Sequence, residues 1–332
     1  MRVYNTPGLS YDDLLIAPDY SEIETRADID LSTKVTKNVS LQIPVVSSPM
    51  DSVTGVNMAV ALGNLGGMGF LHRYCSLEEQ VAMANAVNEA LDEDAVFGAA
   101  VGVTGDYLER AQELEAAGAS VIVVDVAHAD NKLVTDALDI LKATILEADI
   151  MVGNVATKEG AGRLVMRGVD GVRVGIGNGS HCTTRLAAGV GVPQASAVDA
   201  AVDVCRDEGV PVCADGGILY PGDATKALGL GAHTVMCGSV FAGTTEAPGN
   251  ISIQGFGPLA QRFKEYRGMA SHNAKVQDDR AAENIEGISS MIAYRGSVVP
   301  IVEDFLDGIR SGLSYTGSLD IDEFHRKCIF IM

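Results

Sequence analysis

Residues 174–185 combine closely spaced glycines with a cysteine, a pattern suited to covalent or ion-binding chemistry. Glycines stand at positions 175, 177 and 179, directly after an apolar run, so the backbone must turn tightly or approach another group closely there. Such a turn can present amide groups to an anion or carbonyl groups to a cation. Cys182, at the end of the turn, is therefore a candidate nucleophile or metal ligand. An inert buried thiol is the alternative.

Three residues could assist a nucleophilic Cys182. Arg185 follows one helical turn later, and a nearby cation together with a helix start favours the thiolate form of a cysteine. Thr184 could transfer a proton, although a threonine at this point could equally cap a helix. Glu286, in a polar segment far along the chain, could supply a general base, with an ordinary solvated glutamate as the alternative.

Several other predicted strands end in polar or glycine-rich residues: Ser47-Ser48, His72-Arg73, Asp125, Gly153-Asn154, Asp215-Gly216-Gly217 and Gly238-Ser239. The last two loops would follow the seventh and eighth strands, where barrels commonly bind a phosphate. Tight turning alone is the alternative for these loops. His72-Arg73 could contact an anion. A carboxylate such as Asp125 on a buried strand needs a partner, unless it caps a helix.

These residues require a frame of alternating strands and helices. Short β-branched apolar runs predict strands over 43–47, 68–72, 96–101, 121–126, 150–154, 171–175, 210–214 and 234–237. Stretches rich in alanine, leucine and glutamate predict helices near 53–64, 77–91, 106–117, 131–146, 158–167, 197–208 and 222–229. Eight buried strands, each followed by a helix, predict an α/β protein with a (β/α)8 TIM barrel. A doubly wound open sheet is the alternative, but it would need a glycine-rich GxGxxG turn after the first strand, where Ser47-Ser48-Pro49-Met50 stands.

The alternation of strands and helices stops after Gly249. Residues 250–298 are polar and glycine-rich, and a long irregular segment in a compact domain is typical of a functional flap or of disorder. A final helix is predicted near 299–311, followed by a short C-terminal tail. We therefore expect one barrel domain over residues 1–332, with a flap at about 250–298 and no second domain.

The composition narrows the classes of function. The chain has 332 residues, 47% of them hydrophobic, and a formal net charge of −20, which argues against binding to nucleic acid or to an anionic membrane. No apolar run reaches the roughly 18 residues that span a bilayer, and the N-terminus lacks a signal-peptide core. A cytoplasmic protein is expected. The six cysteines form no CxxC pair, so neither a zinc site nor a disulfide framework is indicated.

The chain resembles the IMP dehydrogenase / GMP reductase family over essentially its whole length. The stretches that carry the resemblance are residues 9–17, 44–51, 123–128, 153–157, 175–185, 214–218, 238–249 and 266–271. The resemblance implies a (β/α)8 barrel, usually a homotetramer, here without the regulatory CBS domain that many dehydrogenases carry. It also implies that the loop cysteine attacks purine C2 and forms a thioimidate with the nucleotide.

The resemblance assigns roles to individual residues. Cys182 would be the nucleophile, with Thr184 and Glu286 as the proton-transfer pair. The purine nucleotide, GMP or IMP, would be held by Ser48, Met50, Ser180, Asp215, Gly216, Gly217, Gly238, Ser239, Gly268, Met269, Ala270 and Gly287. The nicotinamide cofactor would be met by Arg26, Arg73, Asp125, Val126, Ala127, Ile176, Gly177, Met269, Ser311 and Ser314. Backbone carbonyls of Gly177, Gly179, Cys182 and Arg185 would bind potassium.

Three features favour GMP reductase, which uses NADPH to convert GMP to IMP and ammonia. The alternative, IMP dehydrogenase, oxidises IMP with NAD and hydrolyses the intermediate to XMP. No CBS domain fits between the second and third predicted strands. The flap is short and carries Arg280-Ala281 where the dehydrogenase has a water-activating Arg-Tyr pair. His72-Arg73-Tyr74 resembles the basic motif of reductases, which suits the extra phosphate of NADPH, and Arg26 could meet the cofactor from a neighbouring subunit.

Other features point away from the reductase. Residues 45–51 and 244–249 resemble the dehydrogenase more closely. Asn178 and His181 replace the proline and the aliphatic residue that are usual in the cysteine loop, which leaves the cation geometry open. The alternatives are an IMP dehydrogenase without a CBS domain, a divergent purine nucleotide activity, and a purine-nucleotide-binding regulatory barrel without catalysis.

Overall fold

The central feature of the structure is a closed barrel of eight parallel strands. The computed structural model describes residues 7–255, 260–268 and 288–332. The barrel strands are β1 (Val45–Ser47), β2 (Met68–Leu71), β3 (Gly98–Val101), β4 (Val121–Asp125), β5 (Asp149–Val155), β6 (Gly171–Val174), β7 (Val212–Asp215) and β8 (Thr234–Cys237). Pairing of Val235 with Val45 joins β8 to β1 and closes the barrel. The predicted (β/α)8 barrel is confirmed, and the open sheet is not the fold.

Helices follow the barrel strands in the predicted order. They are α1 (Val56–Asn64), α2 (Leu77–Ala90), α3 (Tyr107–Ala116), α4 (Lys132–Thr144), α5 (Lys158–Val165), α6 (Thr184–Ala187), α7 (Gln194–Cys205), α8 (Pro221–Gly229), α9 (Ser239–Ala242), α10 (Val299–Tyr315) and α11 (Ile321–Lys327). Polar caps mark several starts: Asn131 and Thr157 accept the amide hydrogens of Val134 and Gly160. In the described part of the chain, no helix is both long and apolar enough to cross a membrane.

Side chains of one parity fill the barrel interior. Strand neighbours alternate between the two faces of the sheet, so residues two apart along β4, β6 and β7 point the same way. One apolar cluster includes Val46, Phe70, Ala100, Val123, Met151, Cys213 and Met236, while the alternate residues pack against the helices. Asp125, Arg173 and Asp215 have the inward parity, and the register pairs Arg173 with Cys213. The barrel interior is therefore apolar toward the amino ends of the strands and charged toward their carboxyl ends.

Two short ribbons flank the barrel. Residues Thr33–Lys34 pair with Ser40–Leu41, and the buried Val35 and Leu41 of this hairpin belong to the interior cluster. The predicted C-terminal tail is a strand, because Phe330–Ile331 pairs with Leu15–Ile16. Helix α11 was not predicted, and α10 extends beyond the predicted end at residue 311.

The prediction of an irregular segment after Gly249 is wrong for the residues that the structure describes. Strands β9 (Ser252–Gln254), β10 (Gln261–Arg267) and β11 (Ser289–Ala293) form an antiparallel sheet. The alternation in β10 is hidden because one of its inward residues is a lysine. The Lys264 amine is buried and donates to the carbonyls of Thr244, at 2.8 Å, and Ala247. A charged side chain therefore occupies a position that sequence patterning reserves for an apolar one.

Candidate active site

The carboxyl ends of the barrel strands surround a cavity of about 570 Å3. Polar strand ends predicted to converge do so here. The residues singled out from the sequence that line the cavity are Ser48, Met50, Arg73, Asp125, Val126, Ala127, Ile176, Gly177, Gly179, Ser180, Cys182, Thr184, Asp215, Gly216, Gly217, Gly238, Ser239 and Gly268. One continuous space therefore joins the cysteine loop, the glycine loops and the end of β4.

Cys182 stands half-buried at the wall of this cavity. Its sulfur lies 3.2 Å from the Thr184 hydroxyl oxygen, within hydrogen-bonding distance for sulfur. The loop closes on itself because the Cys182 amide donates to the Gly179 carbonyl at 3.0 Å. The short helix α6 begins directly afterwards, at Thr184. A proton can thus pass between Cys182 and Thr184 without movement of the backbone.

The side-chain amides of Gln194 and Asn178 support the cysteine loop. The Gln194 amide nitrogen donates to the carbonyls of Val174, at 2.9 Å, and Asp215, at 3.0 Å. The Asn178 side chain donates in turn to Gln194. Gly175 makes room for this arrangement: a Cβ at its position would lie 2.0 Å from the Asp215 carbonyl oxygen, and its φ is +150°. Only glycine fits there, because no side chain tolerates a backbone oxygen at that distance.

A buried arginine that was not predicted connects two predicted acids. The Arg173 guanidinium contacts the Asp125 carboxylate at 2.7 Å and the Asp215 carboxylate at 2.9 Å. Asn154 also donates to Asp215, at 2.8 Å. Burial alone lowers the pKa of Arg173, but the carboxylates of Asp215 and Asp125 outweigh burial and raise it above its usual value. Asp125 therefore has the partner that its position on a buried strand required, and it is not a helix cap.

The glycine loops and one tyrosine shape the opposite wall. Gly216 and Gly217 have φ values of +96° and +77°, a left-handed backbone conformation that favours glycine. Gly238 precedes α9, and a Cβ there would lie 3.2 Å from the Tyr266 hydroxyl. Burial raises the pKa of Tyr266 to about 12, so its hydroxyl keeps its proton and can donate. No role was assigned to Tyr266 from the sequence; its one signal was its place at the start of residues 266–271, among the stretches that carry the family resemblance.

Arg73 reaches into the cavity rather than out toward solvent. Its guanidinium donates to the Asp125 carbonyl at 3.1 Å, lies 3.4 Å from the Asp125 carboxylate and stacks over the Tyr74 ring. His72 lies apart from Cys182, in a second cavity with Asp51 and Arg267. The two halves of the His72-Arg73 motif therefore face different spaces.

Four residues predicted to contact the cofactor or potassium lie away from this cavity in their own chain. Arg26 lies with its guanidinium 5.9 Å from the Tyr315 ring centroid. Ser311 donates to the Asp307 carbonyl within α10, and Ser314 donates to the Ser311 carbonyl. The stem of Arg185 packs against Gly177, where a Cβ would lie 2.6 Å from the Arg185 Cγ. None of these four predicted residues lines the cavity.

Other predictions lie outside the described residues. They concern Glu286, Gly287, Met269, Ala270 and Arg280. The two residues that border this part of the chain are in contact, because the Gly268 amide donates to the Ile288 carbonyl at 3.0 Å. Ile288 therefore lies next to Gly268, which lines the cavity.

The carbonyls of the cysteine loop that were predicted to bind a cation differ in their hydrogen bonds. Among the described residues, no group of three or more histidine, cysteine or acidic side chains could hold a metal ion. The Gly179 carbonyl already accepts the Cys182 amide, whereas those of Gly177 and Cys182 accept no backbone hydrogen bond within the described ranges. Unpaired carbonyl oxygens are the ligands that potassium prefers in proteins.

Comparisons with known proteins agree over the whole chain. The family model for the "IMP dehydrogenase / GMP reductase domain" matches residues 8–332. An inosine-5'-monophosphate dehydrogenase from Cryptosporidium parvum is 38% identical over 374 residues, covering 98% of this chain and 92% of that protein. A GMP reductase from Leishmania donovani is 30% identical over 466 residues, covering 98% and 94%. A crystal structure of a Trypanosoma brucei GMP reductase variant in complex with guanosine 5'-monophosphate superposes with a TM-score of 0.91 at 31% identity, covering 98% of this chain and 95% of that chain.

Proposed function

The chain belongs to the IMP dehydrogenase / GMP reductase family of purine nucleotide oxidoreductases, and we propose that it is a GMP reductase. The reaction would convert GMP, NADPH and a proton to IMP, NADP+ and ammonia. The observation that carries this choice is the flap. Gly268 and Ile288 are hydrogen-bonded to each other, and the residues between them in the sequence, 269–287, contain no tyrosine and no Arg-Tyr pair.

The missing Arg-Tyr pair bears on the last step of the reaction. A dehydrogenase must activate a water molecule that attacks the covalent intermediate, and that step needs a general base. A reductase expels ammonia and needs no water attack. A short flap without the water-activating pair therefore supports the reductase.

The nucleotide would lie along the cavity wall from the glycine loops to Cys182. Asp215 would accept hydrogen bonds from the ribose hydroxyls, since Arg173 and Asn154 fix its carboxylate. Ser180, Gly216, Gly217, Gly238 and Ser239 would hold the 5'-phosphate through hydroxyl and amide donors. Ser48, Met50, Gly268, Met269, Ala270 and Gly287 would contact the base. This order places purine C2 beside Cys182.

Cys182 would act on purine C2 as a covalent nucleophile. Its sulfur adds to C2 while Thr184 and Glu286 pass a proton to the departing amine, so that a C–S bond replaces the C–N bond and ammonia leaves. The carbon then accepts a hydride, which the reduced nicotinamide supplies when bound. Breaking of the C–S bond finally returns the Cys182 thiolate and releases IMP. Asp125, Val126, Ala127, Ile176 and Gly177, which continue the cavity beyond Cys182, would receive the nicotinamide.

Potassium and a neighbouring subunit complete the proposal. The carbonyls of Gly177, Gly179, Cys182 and Arg185 would hold potassium and stiffen the cysteine loop. Arg26, Ser311 and Ser314 lie away from the cavity of their own chain, so they would reach a cofactor only in a neighbouring subunit of a homotetramer. Light scattering of the purified protein at several concentrations tests the tetramer.

IMP dehydrogenase is the second candidate, and the comparison with Cryptosporidium parvum favours it. That dehydrogenase aligns over only 374 residues, while the Leishmania donovani GMP reductase aligns over 466. The Leishmania donovani reductase therefore carries many residues that this chain lacks, and the Cryptosporidium parvum dehydrogenase carries far fewer of them. The lack of a CBS domain therefore does not distinguish a reductase from a dehydrogenase. The choice between the two activities depends on the flap.

Paired assays on the purified protein test the proposal. GMP with NADPH should consume NADPH and yield IMP, whereas IMP with NAD should yield no XMP; the opposite pattern would make the chain a dehydrogenase. Cys182→Ala should abolish turnover and retain GMP binding, while Cys328→Ala, which changes a half-buried thiol remote from the cavity, should leave both unchanged. Glu286→Gln should lose most turnover with binding retained. GMP binding without turnover in any nucleotide and cofactor combination would indicate a regulatory barrel.

A further inference from the structure

His181, the residue before Cys182, is in contact with two strands of the β9–β11 sheet. Its Nε2 lies 2.6 Å from the Ser290 hydroxyl oxygen on β11. Its ring centroid lies 4.2 Å from that of Tyr266 on β10, at an interplanar angle of 56°. Tyr266 and Ser290 are themselves paired across the two strands. The imidazole therefore packs between the cysteine loop and the paired residues Tyr266 and Ser290 of the sheet.

The backbone of His181 makes a third connection to the same place. Its carbonyl accepts the Ile288 amide at 3.2 Å, and the Ile288 carbonyl accepts the Gly268 amide at 3.0 Å. Ile288 therefore connects the His181 backbone to Gly268, the other residue that borders positions 269–287. An aliphatic residue, which the family resemblance leads one to expect here, could fill the space against Tyr266 but could not bond to Ser290.

We propose that His181 is a positioning residue that ties the nucleophile Cys182 to β10 and β11, the two strands on either side of residues 269–287. The inference rests on the proposed function, in which Cys182 attacks the purine and the flap supplies Glu286. Because Cys182 follows His181 directly, any displacement of β10 and β11 is transmitted to the nucleophile.

The second imidazole nitrogen extends the connection to Ser180. His181 Nδ1 lies 3.3 Å from the Ser180 hydroxyl oxygen, and a neutral imidazole has one donor and one acceptor nitrogen. If Ser290 donates to Nε2, then Nδ1 donates to the Ser180 oxygen and leaves the Ser180 proton free for an anion. Binding of the nucleotide phosphate by Ser180 would therefore favour the tautomer in which the Ser290 hydroxyl donates to Nε2.

A double-mutant cycle measures this connection. His181→Leu and Ser290→Ala each remove the same hydrogen bond, whose net value of about 1 kcal/mol corresponds to a roughly fivefold loss. We expect kcat to fall about three- to tenfold in each variant, with KM for GMP within about twofold, and the double variant to be no worse than the poorer single one. His181→Gln, whose amide can still reach Ser290, should recover most of the loss. Ser289→Ala, at the neighbouring exposed position of the same strand, should retain the kcat of the unmodified protein.

Hydrogen exchange provides a readout that does not depend on turnover. Amides of residues 288–293 should exchange faster in His181→Leu and Ser290→Ala than in Ser289→Ala, because the first two variants lose the side-chain bond that fastens β11 to the imidazole. Unchanged exchange, or losses in kcat that multiply in the double variant, would overturn the proposal. If the unmodified protein turns over no nucleotide, the proposed function fails and exchange alone decides whether His181 holds the sheet. If His181→Leu does not fold, Ser290→Ala and His181→Gln carry the same comparison.

Discussion

Replacing Arg173 by methionine should destabilise the barrel by several kcal/mol, because two carboxylates would lose the positive charge they share. The guanidinium lies 2.7 Å from the Asp125 carboxylate and 2.9 Å from that of Asp215, and the Arg173 side chain is 8% exposed. Methionine is flexible and unbranched, so it keeps much of the volume while removing the charge and all its donors. The effect of Arg173→Met is therefore mainly electrostatic.

The magnitude follows from the burial of the two acids. Removing one partner of a buried ion pair costs about 3–5 kcal/mol. The Asp125 and Asp215 side chains are 14% and 16% exposed, so some water reaches them and the lower end, about 3 kcal/mol, applies. Unfolding entropy of about 2.1 cal/mol/K per residue gives about 0.7 kcal/mol/K for 332 residues. The melting temperature should therefore fall by about 4 °C.

Thermal unfolding at a fixed protein concentration is the assay, with Arg167→Met as the matched control. Arg167 pairs with Asp139 on the surface, where the two side chains are 43% and 61% exposed, so its loss should cost less than about 1 kcal/mol. Adding Asp215→Asn to Arg173→Met should recover part of the loss, because the uncompensated Asp215 charge disappears, whereas Asp125 keeps the Arg73 guanidinium at 3.4 Å. Equal melting temperatures for Arg173→Met and Arg167→Met would refute the reasoning.

The remaining predictions concern a glycine, a histidine and the surface charge. Gly175→Ala should abolish GMP binding and lower the melting temperature, because its Cβ would lie 2.0 Å from a carbonyl oxygen. Gly162→Ala, whose Cβ would have no atom within 4 Å, should instead stabilise its helix by about 0.5–1 kcal/mol. Similar shifts of the melting temperature in both variants would contradict this. Burial lowers the pKa of His233 to about 4, so the unfolded chain binds the proton first and stability should fall as the pH drops from about 6.5 toward 4. His233→Asn, whose side-chain oxygen can still accept the Val212 amide, should flatten that fall in a pH series of melting temperatures, and an unchanged slope would assign it to other groups. Raising KCl should raise the melting temperature because salt screens the repulsion within a net charge of −20, and a temperature independent of KCl would contradict that.

The barrel could be predicted because its strands follow the simplest pattern. Strands buried on both faces are short runs of β-branched and apolar residues, and each predicted run became a barrel strand in the predicted order. The antiparallel sheet could not be found in this way. Lys264 is buried in β10 by donating to two backbone carbonyls, so the inward face of that strand does not look apolar.

The site was predictable to the extent that it depends on strand ends. Once eight parallel strands are placed, their carboxyl ends must surround one space, and Cys182, Asp125 and Asp215 meet there. Arg173 was missed although it carries a signal, since it is the one charged residue in the apolar strand β6. What the sequence lacked was the register that pairs Arg173 with Cys213 and so turns it inward.

The position of Arg173 makes two predicted functions depend on each other. The family resemblance implies that Asp215 on β7 contacts the ribose and that Asp125 on β4 contacts the cofactor. Both carboxylates contact the Arg173 guanidinium. If one carboxylate is neutralised, the positive charge of Arg173 acts on the other alone. Asp125→Asn should therefore change the affinity for the nucleotide as well as that for the cofactor, although Asp125 touches only the cofactor in the proposed arrangement. A titration with GMP alone tests this, and an affinity equal to that of the unmodified protein would mean that the two halves of the cavity are electrostatically independent.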